Sequence, residues 1–116
     1  MDYQEVRAHI LGQVDAVEDK PLDPEVAVFR VRHKIFALLA KEKGVTSVSL
    51  KCDPGEALAL RDLFKAVTPG YHLNKKHWNT VILDGTVPDG ELKRMIDNSY
   101  ALVIDSMPSS QRPVSA

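Results

Sequence analysis

The first apolar residues of the chain recur at the spacing of an amphipathic helix, at Tyr3, Val6, Ile10, Leu11 and Val14. Asp2 and Glu5 stand three residues apart at its start, which is the arrangement of a capping box. The pattern predicts a helix from Asp2 to about Val14. The next stretch, DAVEDKPLDPE, is acidic and contains two prolines, so a loop is predicted there.

The chain then becomes rich in β-branched and aromatic residues, interrupted twice by polar or turn-forming residues. Three strands of an antiparallel meander are predicted, over Val26–Val31, Lys34–Ala40 and Thr46–Cys52. In the last of them we expect Val48 and Leu50 to face the core. The positions expected to face away are Ser47, Ser49 and Lys51.

The strongest helix start in the chain follows the third strand. Asp53 can cap the helix, Pro54 suits the first helical position, where no amide donor is needed, and Glu56 completes a capping box. The predicted buried stripe consists of Leu60, Leu63, Phe64 and Val67. The segment Thr68-Pro69-Gly70 is predicted to end this helix.

A fourth strand, Thr80–Leu83, and a last helix from about Pro88 to Asp105 complete the predicted elements. The order is helix, three strands, helix, strand, helix, which defines an α+β domain on a mainly antiparallel sheet. We expect the helices to cover one sheet face and to leave the other partly open. Residues 1–107 are predicted to form this single domain, and the small, polar residues 108–116 a flexible tail.

Composition favours one globular domain in a reducing compartment. Of the 116 residues, 44% are apolar and 27% are charged, which is near the globular average. The single cysteine, Cys52, excludes an intrachain disulfide and cannot by itself make a zinc site. The N-terminus lacks the pattern of a signal peptide, and no apolar stretch is long enough to cross a bilayer. We therefore expect a soluble, cytoplasmic protein that does not bind membranes.

The net charge is −1, but charge is distributed unevenly along the chain. Residues 1–25 carry −5, residues 26–83 carry +6 and residues 84–116 carry −2. A basic middle between acidic ends can form a local cationic patch on a neutral protein. Because neighbours in sequence need not share a surface, the fold decides whether such a patch exists.

Side chains capable of chemistry crowd into the segment TPGYHLNKKHWNTVIL, just before the fourth strand. Trp78 is expected to lie mostly in the core, because it has a large apolar ring. Asn74 and Asn79 suit either a corner bonded to backbone or a binding role. Lys75 and Lys76 offer little to a core, since a buried ammonium is costly, so at least one should face solvent and be free to meet an anion.

The stretches VAVFRV, KIFALL, VSLKCDP, VTPGYHLNKKHWNTVIL and SYALV, in this order and spacing, closely resemble the YjbR/MmcQ family of small bacterial proteins. The resemblance runs from the first helix to about Val103. It implies a CyaY-like (frataxin-like) fold, described for this family as a double-wing arrangement, and the description "DNA-binding protein". One departure is the Arg32-His33 turn, often glycine-containing in this family. A two-residue turn favours positive φ, so a longer or distorted turn is predicted.

The leading hypothesis is a non-enzymatic DNA-binding module that contacts phosphates through a cationic surface. Arg32 is a candidate for contact with guanine and Asn74 for contact with adenine. Lys41 and Lys43 of the second hairpin would add to the surface if they share its face. The predicted nucleic-acid-binding residues are Arg30, Arg32, His33, Lys34, Lys51, His72, Asn74, Lys75, Lys76 and His77.

Other functions remain open. Cys52 precedes a helix start, where a thiol pKa can fall, but a lone cysteine closing a strand is more often a buried hydrophobe, so no catalytic residue is predicted. His72 and His77 lack a nearby carboxylate or cysteine ligand, so no metal site and no cofactor are predicted. An acidic set favours the alternative of a protein-interaction module, its partner unspecified, or a frataxin-like metal-handling module. These acids are Asp2, Glu5, Asp15, Glu18, Asp19, Asp23 and Glu25.

Overall fold

Helices cover one face of a six-stranded antiparallel sheet in the computed structural model, which describes residues 1–19, 23–70 and 72–114. The helices are α1 (Tyr3–Leu11), α2 (Pro54–Leu63) and α3 (Asp89–Asp105). The strands are β1 (Ala16–Asp19), β2 (Val26–Val31), β3 (Lys34–Glu42), β4 (Val45–Lys51), β5 (Val67–Pro69) and β6 (Trp78–Ile82); a 3-10 turn spans Ser109–Gln111. No helix within the described ranges is long and apolar enough to span a bilayer. The predicted α+β class and antiparallel sheet are confirmed.

The strand order is β1-β2-β3-β4-β6-β5, and the turns between strands lie at two opposite ends of the sheet. At one end, called the Lys51 end, lie the turn at Arg32 and His33, the last residue of β4, and the loop between β5 and β6. The turn at Lys43 and Gly44 lies at the other end, called the Gly44 end. All neighbouring strands are antiparallel, so their register shows which strand ends and turns lie at the same end of the sheet.

The hydrophobic core lies between the helices and the covered face of the sheet. Alternate strand residues point into it, as expected for a sheet with one packed face, and Val48 and Leu50 do so as predicted. Burial of each large apolar side chain contributes about 1.5–3 kcal/mol. The side chains that are at most 1% exposed include Phe29, Leu39, Val48, Val81, Val6, Ile10, Ile96 and Val103.

Ser49 points away from the core, as predicted, but it is not open to solvent. It points to the uncovered face of the sheet but is only 8% exposed. Its hydroxyl lies 2.8 Å from the hydroxyl of Thr80, the residue that the register places directly opposite on β6. Directly opposed side chains lie close enough to shield each other from water. The uncovered face is therefore partly closed by its own side chains.

The predicted acidic loop after α1 is wrong for Ala16–Asp19, which form β1 and pair with β2. The side chains of this strand are mostly exposed, so it lacks the apolar alternation that would have revealed it. Ion pairs hold it in place: Arg7 contacts Glu18 at 2.7 Å, and Arg30 contacts Asp19 at 2.8 Å. Residues 20–22 of the predicted loop lie outside the described ranges.

The first two helices are shorter than predicted. α1 ends at Leu11 and not at Val14. α2 ends at Leu63, because Phe64 has extended backbone angles and Val67–Pro69 pair with β6 as a strand. Leu63, predicted in the buried stripe, is 71% exposed. Val67 is buried because it faces the core from β5. Its spacing from Leu60 matches a helical repeat by coincidence, so its predicted place in α2 is wrong.

The β2–β3 hairpin has a two-residue turn, so the turn is not longer than the sequence pattern of a tight hairpin requires. Arg32 alone in this turn has positive φ, at 56°. Phe29 pairs with Ala37 but Arg30 pairs with Ile35, so Phe36 is the extra residue of a β-bulge in β3, the strand after the turn. A bulge increases local twist. The distortion is thus located in β3, and the turn itself remains short.

A buried hydroxyl of α3 completes the hydrogen bonding between β3 and β4. Ser99 is fully buried, donates to the Phe36 carbonyl oxygen at 2.6 Å and accepts from the Lys51 amide at 2.9 Å. Both backbone groups lie just beyond the last paired residues of this ladder, Ala37 and Leu50. Ser99 therefore satisfies backbone groups that would otherwise be buried without a partner.

Replacing Ser99→Ala should lower the free energy of unfolding by roughly 1–3 kcal/mol, because two buried backbone groups lose their partner. Urea denaturation measures the change. The matched control is Ser109→Ala on the exposed 3-10 turn, which should leave stability unchanged. Equal stability of the Ser99 variant and the parent would contradict this role.

Candidate functional site

The predicted binding residues divide between the Lys51 end and the uncovered face of the sheet. Arg30 lies one residue inside the Lys51 end on β2, and His72 lines a groove on the uncovered face. The others gather at the Lys51 end: Arg32, His33, Lys34, Lys51, Asn74, Lys75, Lys76 and His77.

The arginines of the first hairpin are paired with acids of the segment before it. Arg30 contacts Asp19 at 2.8 Å and donates to the His33 carbonyl oxygen at 3.0 Å. Arg32 contacts Asp15 at 3.4 Å. The acidic block at the start of the chain and the basic hairpin therefore offset each other at this edge of the sheet.

The lysines carry the positive charge that remains at the Lys51 end. Within the described ranges no lysine forms an ion pair with a carboxylate. Lys34 donates to the Ser106 hydroxyl at 3.0 Å, Lys75 and Lys76 are exposed, and Lys51 is half-buried. Since β4 lies between β3 and β6, Lys51 sits between the hairpin and the loop that carries Lys75 and Lys76.

The lysines of the second hairpin do not join this surface. Lys41 and Lys43 flank the turn at the Gly44 end. A strand rises about 3.3 Å per residue, so the length of β4 separates the two ends of the sheet by about 20 Å. The cationic surface therefore lacks Lys41 and Lys43, which the sequence analysis would have added if they shared its face.

Arg61 of α2, which sequence reasoning missed, holds the β5–β6 loop in place. Its Nε donates to Asn79 Oδ1 at 2.7 Å, and its Nη2 donates to the carbonyl oxygens of Lys75 and Trp78. An arginine in the last turn of a helix is usually solvated or favours the helix dipole. No sequence signal therefore pointed to this contact.

The two asparagines of the loop have different roles. Asn79 is 3% exposed, and its amide donates to the Ala57 carbonyl oxygen at 3.3 Å, so it belongs to the core. The side-chain oxygen of Asn74 accepts from the Lys76 amide at 2.9 Å. Asn74 is exposed, and its amide group stays available at the surface.

Replacing Arg61→Met should loosen the β5–β6 loop, because two carbonyl oxygens and Asn79 lose a charged donor. We expect a loss of roughly 1–3 kcal/mol in unfolding free energy and faster amide hydrogen exchange at His77. Lys65→Met removes the same charge from an exposed site and serves as control, because the Lys65 side chain has no bonded partner within the described ranges. Unchanged exchange at His77 would show that Arg61 does not anchor the loop.

A pocket of about 380 Å³ opens beside Trp78 at the Lys51 end. Trp78 is half-buried at its wall and so lies less deep in the core than predicted. The pocket brings together the end of β4, the start of α2, the β5–β6 loop, the start of β6 and one residue of α3. It is lined by Lys51, Cys52, Asp53, Pro54, Asn74, His77, Trp78 and Leu102.

The thiol in this pocket is protected. Cys52 is 6% exposed, and its amide donates to the His77 carbonyl oxygen at 2.7 Å. Burial, followed by the negative charges of Glu56 and Asp53, raises the pKa of the thiol from 9.0 to about 11. Because the nucleophile is the thiolate, such a cysteine is a poor candidate for covalent catalysis near neutral pH.

Cys52 should therefore resist iodoacetamide at mildly alkaline pH until the protein unfolds. Since its pKa is higher in the folded protein, its protonation contributes stability that is lost as the pH rises from 9 towards 11. Urea denaturation across this range should show stability falling, and Cys52→Ala should fall less. Rapid alkylation of the native protein would contradict this assignment.

His72 lies apart from the other predicted residues. With Leu73 it borders a groove of about 430 Å³ on the uncovered face of the sheet. The floor of that groove is largely apolar, with Val26, Leu38 and Ala40 among its residues. His72 has a φ of 59°, an uncommon left-handed conformation for a residue other than glycine.

The early acids are used mainly to hold the fold together. Asp2 and Glu5 form the capping box of α1. Asp15, Glu18 and Asp19 each contact an arginine. In the part of the chain that the structure describes, no group of three or more His, Cys, Asp or Glu side chains could hold a metal ion.

The antiparallel sheet with helices on one face places this protein in the α+β class. Comparisons with known proteins identify the family. The family model YjbR matches residues 11–102. The uncharacterised protein YjbR of Escherichia coli K12 is 31% identical over 112 residues, covering 97% of this chain and 95% of that protein. The uncharacterised protein YbdF of Escherichia coli O157:H7 is 37% identical over 87 residues, covering 75% and 71%. The chain belongs to the YjbR family.

Solved structures share this fold. The crystal structure of the Deinococcus radiodurans protein DR2400, with the family-model domain DUF419, matches with a TM-score of 0.87 at 35% identity, covering 93% of this chain and 83% of that one. A crystal structure of a Pseudomonas syringae protein matches with a TM-score of 0.76 at 30% identity, covering 88% and 98%. The likeness to DUF419 agrees with the family assignment.

Proposed function

We propose that this chain is a non-enzymatic module that binds nucleic acid through the phosphate backbone. The observation that carries the proposal is the convergence of Lys34, Lys51 and the Lys75-Lys76 pair at one end of the sheet without carboxylate partners among the described residues. Lysine side chains of this kind are point charges on flexible stems, which suit contact with phosphates.

The spacing of the strands supports contact with more than one phosphate. Neighbouring strands lie about 4.8 Å apart, and β3, β4 and β6 are consecutive in the sheet. Lys34 at the start of β3 and the loop before β6 are therefore separated by about 10 Å. Phosphates follow one another at intervals of a few ångströms along each strand, so the lysines can contact several at once.

Base-specific recognition by the hairpin has less support. Arg32, the candidate for guanine contact, is paired with Asp15 and would have to leave that partner. An ion pair between exposed residues contributes only about 0–1 kcal/mol. Arg32 could therefore leave Asp15 at a small cost in free energy, but this step would add no specificity. Contact with the phosphates, independent of sequence, is the form of binding that we propose.

Replacing Lys75→Ala and Lys76→Ala together should weaken binding to DNA severalfold and reduce the slope of log affinity against log salt by about 2. Fluorescence anisotropy with a labelled strand, between about 50 and 200 mM salt, measures both quantities. Both lysines are exposed, so the free energy of unfolding should not change.

The matched control for this variant is Lys41→Ala with Lys43→Ala, which removes the same charge at the Gly44 end. Its affinity and its salt slope should equal those of the parent. If the two double variants weaken binding equally, only net charge matters and no local surface exists. If the parent shows no affinity for DNA or RNA at about 50 mM salt, the proposed function is wrong.

The alternative function stays a prediction. A protein partner would find an apolar surface in the groove on the uncovered face, where Val45 and Ile82 are 49% and 37% exposed. Metal handling by the early acids has less support, because the arginine contacts already engage Asp15, Glu18 and Asp19.

A further inference from the structure

We infer that the pocket beside Trp78 receives an unpaired nucleobase, so that the chain prefers single-stranded nucleic acid to duplex. This inference rests on the proposed function, since Lys51 lines the same pocket and Lys75 and Lys76 stand in sequence between two of its lining residues, Asn74 and His77. Its volume, about 380 Å³, lies within the roughly 300–1,000 Å³ of small-molecule sites.

The pocket does not suit a phosphate itself. It opens at the start of α2, where free backbone amides would attract an anion, but Asp53 already accepts from the amides of Gly55 and Glu56. The Asp53 carboxylate also places a negative charge in the pocket wall. Close to Asp53 a phosphate would be repelled, whereas a neutral base would not, and the charge of Lys51 in the same lining stays available to a phosphate of the strand.

Trp78 offers an aromatic wall whose backbone is held from two sides. Gly70 donates its amide to the Trp78 carbonyl oxygen at 2.8 Å, and Arg61 donates to the same oxygen. A Cβ added at Gly70 would lie 2.7 Å from the Cβ of Trp78, so only glycine permits this close approach. A base that stacks on an aromatic side chain whose backbone is already held gains affinity at a reduced ordering cost.

The polar groups of the pocket match the edge of a base. Asn74 uses its side-chain oxygen on the Lys76 amide, which leaves its amide hydrogens to donate to a ligand. Asp53 binds both helix amides through Oδ2, which leaves Oδ1 to accept. The carbonyl oxygens, ring nitrogens and exocyclic amines of nucleobases are the complementary acceptors and donors.

The geometry also separates single strands from duplexes. A base in a duplex is stacked and paired, so it enters such a pocket only after flipping, which costs a few kcal/mol. An unpaired base in a flexible strand needs no such step. The surrounding lysines can then hold phosphates on either side of the captured nucleotide.

Intrinsic fluorescence reports on this pocket directly, because Trp78 is the only tryptophan of the chain. The experiment titrates the unmodified protein with a short DNA single strand, with the same strand annealed to its complement, and with an abasic strand of equal length. The abasic strand keeps the phosphates and lacks the bases, so it isolates stacking from charge. Anisotropy of labelled strands gives the affinities.

We expect the ordinary single strand to quench Trp78 and to bind at least about fivefold more tightly than the abasic strand. Equal binding of all three ligands without a change in Trp78 fluorescence would overturn the base pocket and leave phosphate binding intact. Absence of binding to all three would overturn both proposals.

Variants of Trp78 give a second test. Trp78→Leu should abolish the advantage of the ordinary strand over the abasic one, whereas Trp78→Phe, which keeps a flat ring, should retain most of it. Affinity for the abasic strand measures phosphate contact, so it also verifies that each variant is folded and binds. If Trp78→Leu keeps the full advantage, the base does not stack on this residue.

Discussion

The pairing of β4 with β6 is the constraint on which both the core and the candidate site depend. These strands are not neighbours in sequence, and α2 with β5 must be accommodated between them. The register places Val48 opposite Val81 in the core and Lys51 opposite Trp78 at the sheet end. A slip of one residue would turn each of these side chains to the other face. The same ladder therefore defines the packed layer and the pocket.

The two kinds of basic residue have separate roles in this fold. Each arginine bonds internally: four contact carboxylates, Arg61 holds the β5–β6 loop, and Arg112 bonds to carbonyl oxygens near the end of α3. The planar guanidinium group suits such multiple fixed bonds. The described lysines form no ion pairs and keep their charge available. Counting both types together overstated the cationic surface.

Features set by local chemistry could be predicted from the sequence, and features set by distant pairing could not. The start of α2 depends on Asp53 and Pro54, which stand side by side, and it lies where predicted. β1 is mostly exposed and exists because β2 lies beside it, so no pattern in its own residues revealed it. β5 has only three residues and was mistaken for the end of a helix.

The same division holds for the candidate site. The exposure of Lys75 and Lys76 follows from the cost of burying an ammonium group, which is a property of the residues themselves. The pairing of Arg32 with Asp15 required the position of β1, and the bonds of Arg61 required the path of the β5–β6 loop. The family resemblance supplied the fold but gave no information on these contacts.

The two outer strands of the sheet discourage growth by addition of another strand. β1 is short and carries acidic side chains, and β5 spans three residues and includes Pro69, which has no amide hydrogen to donate. A short, acidic edge strand and a proline in an edge strand both keep exposed sheet edges from pairing with further chains. Assembly of this protein with copies of itself would therefore have to use the broad sheet face or the helices. The same two outer strands disfavour continuous β-sheet fibres.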